Sequence, residues 1–448
     1  MTKITLIGAG SHSWGPVFLR DIIITPELVG SEICLHDIDA ERMELNFRLA
    51  QIFVATTQAD FRITQTLSLD EALHGADFII LTITTGGLEA MRHDLEIPAR
   101  YGVQQSVGDT TGPGGLSRAL RNIPVLAAMA EKVNEHCPKA WFLNYTNPMT
   151  TLTRTLNMFR AIPNRTIGLC HEWIGVRAKL AEYFHVRPQQ INATIAGINH
   201  LPWALDLNVD RRNAWDDLDE LVEMILNGRL DPDPDDDSPY ADHSKVKAAL
   251  FKVFGALPVA GDRHVAEFFG NFIKPDTDFK AQYGLALTSV DYRAQEIAYA
   301  RGLIESAVSG ELPVVSFLQE HSNEAASEIM SALVTGGRYT GIMNLPNAGQ
   351  ITNLPREAVV ETYGVIESSG ERGMAVGNVP AGVRIVLERH IANQEMTIKA
   401  ALAGDRNQAL QVLVNDPLTR GLEIGQCQEM LAELLEANRA YLPLFFEN

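Results

Sequence analysis

The chain of 448 residues holds only four cysteines, and no two of them form a Cys-x-x-Cys pair. Cys34, Cys137, Cys170 and Cys427 therefore lack the paired spacing of a structural zinc module, and so sparse a set argues against a disulfide framework. Thiols used in this way suit a reducing compartment, which predicts a cytoplasmic protein. No apolar run approaches the roughly 20 residues that a membrane helix needs, so no membrane span is expected. The N-terminus enters a strand-like segment, Lys3-Ile4-Thr5-Leu6-Ile7, without a charged and apolar leader. Positive charge is also short, with 37 Lys and Arg against 56 Asp and Glu and a formal net charge of −19. Such a surface repels phosphate backbones and anionic lipid, which disfavours nucleic acid and membranes as partners. A small acidic substrate is still allowed, because a pocket can be locally basic on an acidic protein. The length suits two packed domains or one elaborated domain.

What is present is a repeating pattern over the first 170 residues. Short apolar runs at 4–7, 32–36, 76–82, 141–144 and 166–169 are each followed by a turn and a helical stretch. That alternation predicts a parallel sheet covered on both faces. The runs end in polar or glycine-rich residues: Gly8-Ala9-Gly10-Ser11, Asp37-Ile38-Asp39, Thr84-Thr85-Gly86-Gly87 and Asn144-Tyr145-Thr146-Asn147-Pro148. Ligands of open parallel sheets bind beyond the carboxyl ends of the strands, so these residues mark the expected site. After Cys170 the pattern loosens. Strands are expected near 194–197 and 205–209, on either side of Asn199-His200, and helices at 215–227, 291–309, 381–403 and 422–441. The acidic, proline-broken stretch 231–237 predicts a mobile surface loop. The fold class expected is α/β: a doubly wound, Rossmann-like parallel sheet over residues 1–170. A mixed α+β, largely helical second domain is expected over 171–448.

Gly8-Ala9-Gly10 lets the backbone turn tightly and approach a pyrophosphate at the N-terminus of the following helix. Ser13 stands where a third glycine would complete the usual fingerprint. Asp37, ending the second apolar run, can accept hydrogen bonds from the adenosine ribose hydroxyls and disfavours the extra phosphate of NADP. The order of strand, glycines, helix, second strand and acid predicts NAD binding, with Gly8, Gly10, Ser11, Asp37, Thr84 and Gly86 as contacts.

Cys170 ends the run 166–169, inside Gly168-Leu169-Cys170-His171-Glu172-Trp173, and His200 lies in Gly197-Ile198-Asn199-His200. Taken alone, a cysteine and a histidine so placed are more often buried core groups, and the alternative is two metal ligands completed by substrate hydroxyls and water. Six or seven short motifs in order then carry a resemblance along nearly the whole chain. They include Ile7-Gly8-Ala9-Gly10-Ser11, Asp37-Ile38-Asp39, Gly112-Pro113-Gly114-Gly115, Asn147-Pro148-Met149, Cys170-His171-Glu172, Gly197-Ile198-Asn199-His200 and Gly261-Asp262-Arg263-His264. Together they resemble glycoside hydrolase family four, the NAD- and metal-dependent glycosidases.

The resemblance implies that Cys170 and His200 bind a divalent metal, usually manganese, and that Asn147 contacts substrate hydroxyls. Asp262 matches the position of a general base and His171 that of an acid, while Arg92, in Arg92-His93-Asp94, falls where relatives line the site. The implied reaction takes a hydride from C3 to NAD, which acidifies the C2 proton. The aglycone is then eliminated from C1, water adds, and the hydride returns without net redox. Cys170-His171-Glu172 resembles the α-glucosidase and α-galacturonidase branch, and Gln105-Ser106-Val107-Gly108-Asp109-Thr110-Thr111-Gly112-Pro113-Gly114-Gly115 resembles the galacturonidase-type proteins in particular, although Trp173 departs from a common valine. An acidic hexoside, such as an α-galacturonide or α-glucuronide, needs a cation for its carboxylate, and Arg92, Arg263 and Arg293 are the candidates. A neutral α-glucoside or α-galactoside and a sulfonated sugar are the alternatives within the class. A malate- or lactate-type NAD dehydrogenase is the alternative outside it. A homodimer or homotetramer is expected by resemblance.

Overall fold

The computed structural model describes residues 1–236 and 238–447. Six parallel strands come first: β1 (Lys3–Ile7), β2 (Glu32–His36), β3 (Arg62–Thr66), β4 (Phe78–Leu81), β5 (Trp141–Asn144) and β6 (Thr166–Gly168). Their spatial order is β3-β2-β1-β4-β5-β6, the doubly wound order in which the chain switches direction beside β1. Phe78, Ile79, Ile80 and Leu81 of β4 are all buried, as strands sandwiched between helices require. β3 was not expected from the sequence. It is the edge strand, Arg-Ile-Thr-Gln-Thr, and is half exposed, so it carries no apolar run.

Most strands of the second half join that same sheet, while Ile191–Asn192, Asn208–Val209 and Arg212–Asn213 form a separate three-stranded one. Tyr339–Pro346 joins β6 antiparallel, with Asn344 opposite Gly168. The strands Val359–Glu367, Ile195–Ile198, Leu201–Ala204 and Leu257–Pro258 then extend the same sheet. The second half is largely helical, as expected, and the long hairpin of Tyr339–Pro346 and Val359–Glu367 is the part of it that the sequence did not show. Both faces of these strands are covered, so the alternation that identifies a half-exposed strand is missing. Two strands follow His200, Leu201–Ala204 directly after it and the short Asn208–Val209 inside the expected 205–209. The expected helices are present as Trp215–Leu226, Val290–Ser309, Ala381–Ala403 and Ile424–Ala437.

The acidic stretch is tied down rather than loose. Asp231 accepts from His243 at 2.8 Å, and Asp233 takes the Lys179 ammonium and the Asp242 N–H. Cations and free N–H groups from neighbouring segments neutralise the carboxylates whose repulsion predicted mobility. Asp237 lies outside the described residues. No helix among the described residues is long and apolar enough to cross a membrane.

Candidate active site

The carboxyl end of β1 carries the glycine turn. Gly8 has φ +89°, and a Cβ built on it would lie 2.0 Å from the Thr82 carbonyl oxygen, so only glycine fits there. The Gly10 N–H donates to Asp37 Oδ2 at 2.7 Å. Asp37 Oδ1 accepts from the Asp39 N–H, so the turn and the acid after β2 form one unit. Ser11 Oγ accepts from the Trp14 N–H at the start of the helix Gly15–Ile23. Thr84 and Gly86 follow β4, and Gly86, at φ +88°, opens the helix Gly87–Arg100. These six predicted residues share the strand ends around the switch point.

Cys170 follows β6, and His200 sits at the turn between Ile195–Ile198 and Leu201–Ala204. His200 has φ +64°, a left-handed conformation that costs a non-glycine residue about 1–3 kcal/mol and concentrates at functional sites. The donor atoms of Cys170, Glu172 and His200 all lie within 4.8 Å of one another, as do those of Asp109, His200 and His264. The two triplets share His200 and form one cluster. The His200 and His264 rings stack with centroids 3.8 Å apart. Burial lowers the pKa of both imidazoles, leaving neutral rings suited to hold a cation. Burial raises the Cys170 thiol well above its ordinary range, and Glu361 and Glu172 add to the effect. A cation at the thiol would reverse that preference. For Glu172, burial opposes ionisation but His264, His200 and His171 outweigh it, holding the carboxyl at about 2.

Asp109 is held through both of its carboxylate oxygens. Thr110 Oγ1 donates to Asp109 Oδ1 at 2.7 Å and also contacts His200 Nδ1 at 2.8 Å. Asn147 Nδ2 donates to Asp109 Oδ2 at 3.1 Å, while Asn147 Oδ1 is buried without a partner. Arg118 donates to the Asn147 carbonyl and to Thr84, which links this cluster to the dinucleotide-type end. The loop bearing Asp109 is anchored by Glu267, whose Oε1 accepts from the Val107 and Gly108 N–H groups at 2.7 and 2.9 Å. Burial pushes the Glu267 carboxyl up to about 8. His171 Nδ1 meets Glu324 Oε1 at 2.8 Å. That hydrogen bond raises the histidine pKa against the opposing effect of burial.

Two predicted residues are placed differently. Asp262, expected as a free base, is 1 % exposed. Its Oδ2 accepts from the Val246 N–H at 2.9 Å, and its Oδ1 accepts from the Lys247 N–H at 3.1 Å and from Lys247 Nζ at 3.0 Å. It works as an ion-pair partner and as an acceptor for the first N–H groups of the helix Lys245–Phe254. Arg92 is spent on Glu96 and Asp291, both at 2.8 Å, on the surface. The buried member of its motif is Asp94, gripped at 2.7 Å through both oxygens by Arg121. Arg263 stays close to the cluster, 4.6 Å from the Tyr240 ring centroid, and its charge acts on Asp109 and Glu172.

Glu172, His264, Asp109 and Arg118 were not singled out from the sequence. The first three lie inside quoted motifs, beside residues that were. Arg118 sits six residues into the helix Gly112–His136 with no motif signal of its own.

The chain is 32 % identical over 445 residues to an α-galacturonidase of Bacillus subtilis, covering 97 % of each chain. A solved Bacillus subtilis structure, described as that of a candidate glucosidase, superposes with TM-score 0.88 at 30 % identity. That match covers 97 % of this chain and 100 % of the other. The Thermotoga maritima 6-phospho-β-glucosidase, solved with manganese, NAD+ and glucose-6-phosphate, shares the fold at TM-score 0.80 and 23 % identity, covering 99 % of both chains. The model of the family 4 glycosyl hydrolases matches residues 3–186, and that of their C-terminal domain matches 195–419. A sheet-end pocket with this donor cluster, matched over nearly its whole length, makes the chain a glycosidase that belongs to the family 4 glycosyl hydrolases.

Proposed function

We propose that this enzyme hydrolyses α-glycosides of an acidic hexose, an α-galacturonide or α-glucuronide, with NAD and a divalent metal such as manganese as cofactors. The acidic substrate rests on Arg263 and Arg293. Among the described residues neither guanidinium has a carboxylate within 4.0 Å, and a buried or half-buried arginine normally has one. The identity to an α-galacturonidase supports the same choice. Membership of a glycosidase family sets aside the malate- or lactate-type dehydrogenase.

The residues present fit both cofactors. The turn at Gly8 has no room for a side chain, and Asp37 braces it at the point where a ribose would lie. Cys170, His200 and Glu172 offer sulfur, nitrogen and oxygen donors at ligand spacing. When bound, NAD would supply reversible hydride transfer at a ring carbon, and the cation would supply Lewis acidity at the oxygen on that carbon.

The remaining work falls to the side chains. Asn147, with its unpartnered Oδ1, orients a sugar hydroxyl. Asp109 is the carboxylate best placed to take the C2 proton, because it lies between Asn147 and the histidine pair, whereas Asp262 is occupied by Lys247. His171, steadied by Glu324, donates a proton to the departing oxygen. All four thiols are free, and the need for a reduced Cys170 suits a cytoplasmic setting. An assembly of two or four copies is the proposed quaternary form, readable by sedimentation.

A panel of p-nitrophenyl α- and β-glycosides, including uronides, neutral hexosides and a sulfoquinovoside, tests the substrate with NAD, manganese and reductant present. The α-uronide is expected to be the best substrate, and faster turnover of a neutral hexoside would overturn the choice. In heavy water, deuterium is expected at C2 of the released sugar. Asp109→Asn is expected to abolish that exchange and Asp262→Asn to retain it in the folded fraction. The reverse pattern would return the base role to Asp262.

A further inference from the structure

Arg263 and Arg293 come from distant parts of the chain, yet they share one aromatic ring. Arg263 Cζ lies 4.6 Å and Arg293 Cζ 5.4 Å from the Tyr240 ring centroid. Arg293 Nη1 also donates to the Tyr240 hydroxyl at 2.9 Å, and Arg293 Nε is buried without a partner. Tyr240 is itself braced: its N–H donates to Ser238 Oγ at 3.1 Å, and its ring lies 5.7 Å from that of Tyr292. Two like charges drawn to one ring repel each other. The ring quadrupole offsets part of that repulsion, and an anion between the guanidiniums would remove the rest. The pair has no such anion within 4.0 Å among the described residues, and the charge of Arg263 is felt by Asp109 and Glu172. Tyr240 contributes no donor to the metal-type cluster, so its distinct contribution is the spacing of the two cations.

We propose that Tyr240 is a specificity-determining residue, which holds Arg263 and Arg293 as one forked receptor for the carboxylate of the sugar. This rests on the acidic-hexoside reading and adds the device that enforces it. Guanidinium planes match a carboxylate only when their N–H groups are set at fixed angles. An aromatic shelf between two of them fixes those angles at little entropic cost. Removing the shelf lets each arginine turn to water, and the discrimination between a charged and a neutral sugar then falls.

The test is kcat/KM for p-nitrophenyl α-galacturonide and p-nitrophenyl α-galactoside, measured on the holoenzyme with NAD and manganese. Wild type, Tyr240→Phe and Tyr240→Ala are compared. Tyr240 is 37 % exposed, so both variants are expected to fold. Tyr240→Ala is expected to lower the uronide-to-galactoside ratio about ten-fold, mainly through KM for the uronide. Tyr240→Phe keeps the ring and is expected to recover most of the ratio. A high wild-type ratio that survives in Tyr240→Ala, or an equal fall for both substrates, would overturn this role for Tyr240 alone. A wild-type ratio near one would overturn the acidic-sugar reading and this proposal with it.

Discussion

Cys170→Ser is expected to reduce turnover by about 10³-fold while leaving dinucleotide affinity unchanged, because Lewis-acid stabilisation is worth several kcal/mol and each 1.4 kcal/mol is a factor of ten. The hydroxyl is slightly smaller than the thiol and remains protonated, so it cannot supply the anionic donor that a cation favours at that position. The fold is expected to persist, because Cys170 follows the last parallel strand and contributes no core volume that serine would leave badly unfilled. Dinucleotide binding is expected to persist because the Gly8–Asp37 unit lies at β1 and β2, while Cys170 lies at β6, with β4 and β5 between. Manganese titration by calorimetry and dinucleotide titration by fluorescence separate the two sites. A serine variant that binds manganese and turns over substrate like wild type would remove Cys170 from the metal site. Chelation of the wild-type enzyme is expected to give the same loss, reversed by adding the cation back.

Lys247→Met is expected to destabilise the protein by about 3–5 kcal/mol, the usual cost of leaving buried charge without its partner. The Lys247 ammonium, 3 % exposed in its side chain, contacts Asp242 at 2.5 Å and Asp262 at 3.0 Å. Each carboxylate holds the lysine proton against the opposing pull of burial. Methionine fills the same space but strands Asp262 and leaves Asp242 with only Lys179, at 4.0 Å, for a partner. The melting temperature is expected to fall by roughly 3–5 °C, the unfolding entropy of a chain this long being large. Adding Asp262→Asn to Lys247→Met is expected to restore part of that loss, since it removes the stranded charge, and a double-mutant cycle reads the coupling. Strict additivity of the two substitutions would show that the ion pair is not what Asp262 is for.

The parallel half of the fold was legible because its strands are buried on both faces and separated by helices, which leaves unbroken apolar runs such as Phe78-Ile79-Ile80-Leu81. The hairpin of Tyr339–Pro346 and Val359–Glu367 was not legible. It too is covered on both faces, but threonine, glycine, asparagine and glutamate interrupt its apolar residues, so neither alternation nor a run survives. At the site, Cys170, His200 and Asn147 could be named because short motifs isolate them. Asp262 and Arg263 stand side by side in one motif, and no local pattern tells which of them turns towards the pocket. That depends on Lys247, fifteen residues earlier, and on Tyr240. Arg92 likewise looked free until Asp291, far along the chain, proved to be its partner.

Asn344 opposite Gly168 stitches the last parallel strand to the first antiparallel one, so a single hydrogen-bonded floor runs beneath the entire cavity. An enzyme of this construction cannot gape like a pair of jaws without tearing its own floor. Opening of the two halves about a hinge would have to break that pairing, so amide hydrogen exchange along the seam between β6 and Tyr339–Pro346 is expected to stay slow during turnover.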